Sequence, residues 1–400
     1  MANVSSSNGL EKRPKLRFPG FDEPWNESKL SACFAKNIKK NTDGRISNVI
    51  CNSAKMGLIP QRDYFDKDIA NSDNTSGYYI IEHNDFVYNP RKSSDAPYGP
   101  ISRYAYPDAG IVSPLYLCFR AKGDVDTNFF EWYFRSSAWH RYIYMTGDSG
   151  ARHDRVSIKD DDFFSMPIRF PSSIEQKKIA SFLNAIERRI SSQQLLVDNL
   201  KKYKRGLLSN LFGEKITQGC TTKSYYFSEI AQRRSEKYDP SSGIEYPCVE
   251  LENIEQETGK ILATVPSTAQ SSIKNIAMPG DTLFGKLRPY LRKYAFAKKT
   301  MACSSEIWAL IPSDVVLPKF LFYLVQTEHF LRVANISSGT KMPRAEWSNI
   351  EKAEFFIPDF SVQRKVVSLL EGLDQKITFA DSTLLSLNRL KASLLQHLFI

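Results

Sequence analysis

The sequence predicts an α+β protein: two pseudo-repeated globular domains joined by two long helices that form an antiparallel coiled coil. Three observations predict it. A 42-residue segment occurs twice, apolar residues within each copy recur every 3.5 residues, and the stretch before each copy consists of short β-rich runs broken by Gly, Pro and Ser.

The duplication comes first because it organises the rest. Shifted by 187 positions, Pro171–Phe212 lies on Pro358–Phe399 without a gap. Twelve positions are identical: Pro171/Pro358, Gln176/Gln363, Lys178/Lys365, Ser181/Ser368, Leu183/Leu370, Ile190/Ile377, Leu200/Leu387, Lys204/Lys391, Leu207/Leu394, Leu208/Leu395, Leu211/Leu398 and Phe212/Phe399. Ile179/Val366 and Glu187/Asp374 are conservative matches.

Within each copy the spacing alternates between four and three. The first seam runs Ile179, Leu183, Ile186, Ile190, Gln193, Val197, Leu200, Lys204, Leu207, Leu211; the second runs Val366, Leu370, Leu373, Ile377, Ala380, Leu384, Leu387, Lys391, Leu394, Leu398. That is the heptad of a coiled coil, and a helix of ~40 residues would be ~60 Å long. The competing arrangement is two amphipathic helices, each packed on its own domain. The flaws in the seam indicate orientation. A parallel pair in register would set Lys204 against Lys391, two like charges in one apolar layer. An antiparallel pair separates them, leaves each ammonium free to snorkel to water, and brings Gln193 beside the small Ala380.

Ahead of the helices the repeat is weaker. Phe129–Phe134 (FFEWYF) is similar to Phe320–Leu324 (FLFYL), Gly150–Arg155 (GARHDR) to Gly339–Arg344 (GTKMPR), and Asp85-Phe-Val-Tyr88 to Asp281-Thr-Leu-Phe284. The alternating runs YYIIEHNDFVYNP and KYAFAKKTMACSSEIWALI read as strands, and Asn128–Tyr142 and Pro318–Val333 read as short amphipathic helices. The resulting division is a disordered tail over 1–15, a first globular domain over 16–172 and a helix over 173–212. A second globular domain over 213–358 and a second helix over 359–400 follow. The divergence of the globules beside the likeness of the helices suggests a shared structural task for the helices and separate recognition tasks for the globules.

Composition narrows the function. With 54 Lys+Arg against 44 Asp+Glu, the net charge is +10, which favours a polyanionic partner. The six cysteines (Cys33, Cys51, Cys118, Cys220, Cys248 and Cys303) stand singly with no CxxC, against a zinc ribbon or a disulfide framework and in keeping with a reducing compartment. No run approaches the ~18 apolar residues of a membrane span, and the first fifteen residues lack the apolar core of a signal peptide. The expected location is cytoplasmic.

Catalytic patterns come close and fall short. Gly280-Asp-Thr-Leu-Phe-Gly285-Lys286-Leu287 approaches a phosphate-binding loop, but Leu287 lacks the hydroxyl that such a loop places on magnesium, and Thr-Leu-Phe reads as strand. Pro358-Asp359 followed by Asp374-Gln-Lys376 imitates the acidic–acidic–lysine set of metal-dependent nucleases, but Asp374 and Lys376 fall on the exposed face of the heptad helix, distant from Asp359. There is no Gly-rich dinucleotide or methyl-donor loop, and His83, His140, His153, His329 and His397 show no ligand spacing. Neither a catalytic residue nor a metal ligand is assigned.

Basic residues in turn-rich segments beside aromatic strands are the candidates for DNA contact, since phosphates are met by Lys and Arg and base edges by Arg, Lys, Asn and Gln. In the first globule they are Arg91, Lys92, Tyr98, Arg103, Arg152, His153 and Arg155. In the second they are Lys286, Arg288, Tyr290, Arg292, Lys293, Lys341 and Arg344. Ten Lys/Arg against four Asp/Glu between Glu175 and Lys223 give the first helix a basic face, suited equally to a DNA backbone, to solvent or to a partner protein.

These features together resemble the specificity subunit of type I restriction-modification enzymes. The resemblance rests on Pro171-Ser-Ser-Ile-Glu175-Gln176-Lys-Lys-Ile179 leading to Leu207-Leu208-Ser-Asn-Leu211-Phe212. It rests equally on the second copy from Pro358 through Gln363 to Leu394-Leu395-Gln-His-Leu398-Phe399, on Val112-Ser113-Pro114-Leu-Tyr116, and on Gly280-Asp281-Thr-Leu-Phe284. Val362 departs from the pattern where the first copy has Glu175. The resemblance implies two target-recognition domains, each reading half of a split DNA sequence, with the helices setting the spacer. It implies no catalysis and no cofactor in this chain. Two modification (methyltransferase) subunits would hold S-adenosylmethionine and methylate the DNA, and restriction (translocase/nuclease) subunits would use ATP and Mg. Two other readings stand beside it: a DNA-modifying enzyme acting alone through unrecognised motifs, and a scaffold whose coiled coil only assembles proteins.

Overall fold

The computed structural model describes residues 13–64, 75–149, 154–213, 222–336 and 342–400, and the two heptad segments form helices over Ser173–Leu211 and Phe360–His397. The chain divides into two units, residues 1–192 with 384–400 and residues 193–383, so each long helix starts in one unit and ends in the other.

The sheet of the first unit is made of Phe34–Lys36, Leu117–Ala121, Phe86–Tyr88 and Ile101–Arg103, which pair antiparallel in that order, with Phe86–Tyr88 buried throughout. Its inward rings Phe34, Phe86 and Phe119 pack on Phe130 and Phe134, and all five are buried. In the second unit Ala231–Arg233, Ile307–Pro312, Thr282–Gly285 and Tyr294–Phe296 form an antiparallel sheet of the same order. A two-stranded ribbon ties each globule to its helix: Asn26–Lys29 pairs with Pro167–Phe170, and Thr222–Tyr226 with Glu354–Pro358. The remaining strands differ. The first unit has short separate pairs such as Ile50–Ser53 with Gly57–Pro60, whereas the second has a five-stranded mixed sheet.

The similarity of Asp85 and Asp281 has a structural cause. Each is buried and accepts a hydrogen bond from a turn amide three residues earlier, Glu82 or Met278, both at 2.8 Å. Each carboxylate also binds a guanidinium at 2.6 Å, from Arg120 in one unit and Arg234 in the other. A buried carboxylate needs such partners to offset its desolvation.

The expected helices over 128–142 and 318–333 are each broken in two, as Thr127–Arg135 with His140–Thr146 and Pro318–Leu324 with Glu328–Ala334. At each break a hydroxyl competes for the backbone. Ser136 Oγ donates to Tyr133 O at 2.6 Å, and Thr327 Oγ1 donates to Leu324 O at 2.7 Å while accepting from Phe330 N to start the next helix.

Within each unit the helix halves run antiparallel. In the second, Gln193 Nε2 donates to Ala380 O at 3.0 Å, Lys204 pairs with Asp374 at 2.7 Å, and Leu208 joins Val366 and Leu370 in the core. In the first, Lys391 pairs with Glu187 at 2.9 Å, and Ile179 and Leu183 share a core with Leu394, Leu398 and Phe399. Of the predicted seam, Ile190, Val197, Leu373 and Ile377 are also buried, while Ile186, Leu200, Leu207, Leu211, Leu384 and Leu387 are half-buried. Leu208, outside the heptad register, takes the buried place beside half-buried Leu207. The duplicated terminal Phe is an anchor in each unit: Phe399 lies 5.6 Å from Phe129 and Phe212 lies 4.7 Å from Phe320.

Two expectations about charge are corrected. Lys204 does not snorkel; it is 7% exposed, with its ammonium on Asp374 and 5.5 Å from the Tyr323 ring centre. Asp374 is not on a solvated face, because it also accepts from Tyr323 Oη at 2.9 Å. Burial and that carboxylate raise the Tyr323 phenol, which stays a donor. Asp359 is the cap of the second long helix, accepting from Ser361 N and Val362 N at 2.8 and 3.0 Å.

The duplicated Pro and Gln act together where each helix begins. Gln176 Nε2 donates to Pro171 O at 2.8 Å and Gln363 Nε2 to Pro358 O at 2.9 Å, so the side chain folds back over the first turn. Gln363 also donates to Val315 O and accepts from Leu317 N. Glu175 instead forms a two-pronged pair with Arg17 at 2.8 and 2.9 Å; Val362, its counterpart, packs against the second core.

Two outcomes follow. Asp374→Ala leaves a buried ammonium without its carboxylate and should cost about 2–3 kcal/mol, read as a lower urea midpoint, whereas Glu187→Ala, at the more exposed equivalent pair, should cost under about 1 kcal/mol. Gln363→Ala strands buried backbone groups at three bonds against one for Gln176→Ala, and should lower the midpoint more, by about 2 kcal/mol against about 1 kcal/mol.

Candidate functional site

The basic segments singled out in sequence meet across each unit in the same way. After the central strand of the first sheet, Lys92 N donates to Asp154 O and Val156 N to Pro90 O, both in the range 2.8–2.9 Å, which sets Arg91 opposite Arg155. In the second unit Arg288 N donates to Pro343 O at 2.7 Å and Ala345 N to Lys286 O at 2.8 Å, which sets Leu287 opposite Arg344. Two loops distant in sequence are thereby cross-linked beside the sheet in both units, and each cross-link gathers three cations: Arg91, Lys92 and Arg155, or Lys286, Arg288 and Arg344.

Backbone shape holds these loops. Gly99 closes the loop after Arg91 at φ 82°, where an added Cβ would lie 2.1 Å from Asn89 O. In the second unit Arg288 and Arg292 both adopt left-handed conformations, φ 51° and 50°, around the turn Pro289–Leu291. Such conformations cost an arginine about 1–3 kcal/mol each and persist where surroundings impose them.

The candidates differ in what holds them. Arg91 is exposed and lies 3.8 Å from Asp154, and Arg344 is half exposed with Glu306 at 3.1 Å. Among the described residues no carboxylate is within ion-pair distance of Lys92, Lys286 or Arg288. Arg155 buries its Nε without a partner among them. Burial raises the Tyr116 phenol, and the charges of Arg155 and Arg91 pull it the other way. Tyr98 packs tilted against His140 at 5.0 Å between ring centres, while Tyr290 is about half exposed.

Others are committed elsewhere. Arg103 is bound to Glu131 at 2.6 Å and to Asn84 Oδ1 at 2.7 Å. Arg292 pairs with Glu328 and, at 3.5 Å, with Glu257, and Lys293 Nζ donates to Leu251 O at 2.8 Å. Arg292 lines a cavity of about 770 Å³ in which Lys204 and Lys319 are also paired, with Asp374 and Glu371. Arg152, His153 and Lys341 lie outside the described residues.

A further feature escaped the sequence reading. Beside Lys286 the second unit has a depression of about 590 Å³ lined by Arg233, Lys237, Asn275, Trp308 and Trp347 among others, and among the described residues by no Asp or Glu. The Arg233 guanidinium sits 4.8 Å from the Trp347 ring centre and 5.7 Å from that of Trp308, the two indoles being edge to face. No local motif marks it, because the two tryptophans come from a distant strand and a short helix, Ile307–Pro312 and Trp347–Ile350. Among the described residues no group of His, Cys, Asp and Glu could hold a metal ion, and no helix is long and apolar enough to cross a membrane.

Comparison with known proteins agrees with this architecture. Residues 227–389 match the family described as type I restriction modification DNA specificity domain. The type I restriction enzyme HindI specificity subunit of Haemophilus influenzae is 26% identical over 198 residues, 44% of this chain and 40% of that subunit. The EcoDI specificity subunit of Escherichia coli is 21% identical over 309 residues, 67% of this chain and 66% of that subunit. The chain thus aligns with less than two thirds of either relative's length. Among solved structures, the type I restriction-modification S subunit from M. genitalium superposes with TM-score 0.56 at 16% identity, covering 97% of this chain and 99% of that one. A chain from a study of assembly and conformational transition of the type I R-M system gives TM-score 0.59 at 16% identity, with 94% and 97% covered. Over residues 227–389 this chain is similar in sequence to the type I restriction modification DNA specificity domain, and over nearly its whole length it is similar in fold to type I S subunits of known structure.

Proposed function

We propose that this chain is the DNA-reading subunit of a type I restriction-modification complex, with each unit recognising one part of a two-part target. The observation that carries the proposal is the repeated cross-link: two unlike globules each bring the same pair of loops together and place three cations on it. Phosphate contacts by such cations fix register and supply salt-dependent affinity. Divergent side chains around a repeated frame let the two halves differ in sequence preference. The left-handed Arg288 adds support, since imposed strain concentrates where a group must be held for binding.

The long helices suit the spacing role. They carry their own buried seam and salt bridges independently of the loops, so target sequence and spacer length are separable properties. In this reading methyl transfer and cleavage belong to modification and restriction subunits that dock on the chain. S-adenosylmethionine, ATP and Mg are bound by those partners, and the chain works where they do, in the cytoplasm.

The test is selection of bound sequences from a randomised DNA pool by the full chain with its modification subunits, repeated over a salt series. Two separated specified blocks and a steep loss of affinity with salt are expected; one continuous block, or salt-independent binding, rejects the proposal. The double variant Lys92→Ala/Arg155→Ala should lose roughly tenfold in affinity and alter preference only in one block, and Lys286→Ala/Arg344→Ala only in the other. If both variants disturb the same block, the assignment of one unit to each half is wrong.

A further inference from the structure

The depression beside Lys286 differs from the loops in shape and in chemistry. Its lining includes Arg233, Arg234, Lys237 and Lys286 and, among the described residues, no carboxylate. Arg234 is spent on Asp281, buried behind it. Lys237 Nζ rests on Asn275 Oδ1, and the amide of Asn275 donates to the carbonyl of Ile307 at 2.8 Å. Arg233 and Lys286 have no carboxylate partner among the described residues. The larger cavity of the same unit shows the contrast, because its Lys204, Lys319 and Arg292 are each paired with an acid. A concavity furnished with donors and unpaired cations selects an anion with several acceptor oxygens.

Arg233 is built for that task. Its guanidinium lies over two indoles set at 85° to each other, which restrains the plane of the fork while leaving its N–H edges free. At the equivalent edge-strand position of the first unit stands Lys36, held by Asp160. The first unit therefore neutralises what the second leaves charged.

From this we infer that the depression is a phosphate-binding site for the backbone of the DNA, with Arg233 as its anchor; the inference rests on the function proposed above. Shape decides between the two parts of DNA that offer paired acceptors. Base edges lie recessed in grooves and are reached by side chains that protrude. Phosphates are the outermost groups of a duplex and can enter a hollow. A guanidinium restrained over indoles within a depression is placed to meet the second kind and not the first.

The experiment measures DNA binding by the full chain with its modification subunits. It compares wild type, Arg233→Ala and Arg233→Lys on the selected target, on every single-base variant of the half read by the second unit, and over a salt series. Arg233→Ala should weaken binding roughly tenfold and equally on all sequences, and should lower the slope of log affinity against log salt by about one. Arg233→Lys, which keeps the charge and loses the fork, should restore the slope and only part of the affinity. Thermal unfolding of both variants near the wild-type midpoint shows that the change is not a folding defect. A loss concentrated at one base pair makes Arg233 a base reader and overturns the inference, and so does wild-type affinity and slope in Arg233→Ala. Both results leave DNA recognition by the chain intact. Absence of sequence-specific binding by the wild type instead overturns the proposed function itself, and this inference with it.

Discussion

The heptad lysine of each helix, buried in Lys204 and half-buried in Lys391, meeting the acid of the other repeat is the constraint on which the structure depends. Lys204 and Lys391 are equivalent by the 187-residue shift, and so are Glu187 and Asp374. Only an antiparallel pairing lets both lysines find both acids, and the observed bonds are Lys204 to Asp374 and Lys391 to Glu187. Apolar layers are tolerant of slippage, because one leucine replaces another at little cost. A buried ammonium is not tolerant, since moving it one heptad from its carboxylate leaves an uncompensated charge. The apolar seam supplies attraction, and the charged layer selects direction and register.

Around that pairing the globules keep a frame and vary its furnishings. The four-stranded order, the buried Asp before the central strand and the loop cross-link occur in both units. The guanidinium on that Asp comes from different places, from Arg120 within a strand in one unit and from Arg234 just past the edge strand in the other. What survives duplication is thus the need for a partner on a buried carboxylate, and not the position that supplies it. Divergence concentrates in the strands beyond the common sheet, where the second unit builds five and the first builds short pairs. In the first unit one of those strands also steadies the cross-linked loop, since Asn52 O accepts from Asn89 Nδ2, whose Oδ1 accepts from Arg91 N.

How much was legible in sequence depends on how far apart the cause and its effect lie. The helices were legible because a 3.5-residue period is local, and their direction because Lys204 and Gln193 are anomalies in that period. The repeat matches Glu187/Asp374 were also visible, yet their pairing with the lysines was not, since it depends on a register that only the folded pair defines. Thr-Leu-Phe at 282–284 was legible as strand, and the breaks at Ser136 and Thr327 were not, because a hydroxyl ends a helix only when its geometry lets it reach a carbonyl. Arg233 was the least legible. Its tryptophans follow 75 and 114 residues later in the chain, and nothing near Arg233 in sequence distinguishes it from Arg234, which has the opposite fate of being consumed by Asp281.

Arg233 and Arg234 show why charge count is a poor guide to a binding surface. The net charge of +10 says that a polyanion will be attracted, but attraction at a distance is screened within about 10 Å at ordinary salt. At contact, what matters is whether a cation is already neutralised. Arg103, Arg292 and Arg234 carry the same formal charge as Arg233 and are each bound to an acid within their own unit. Adding a phosphate to such a pair means breaking the pair first, so their contribution to binding is small. An unpaired guanidinium held by aromatic faces has no such competitor: indoles restrain it without satisfying its N–H groups, so its hydrogen bonds remain for whatever docks. Neutralised arginines such as Arg103 and Arg234 build the scaffold, whereas Arg233, π-held and without an acid partner among the described residues, keeps its hydrogen bonds open.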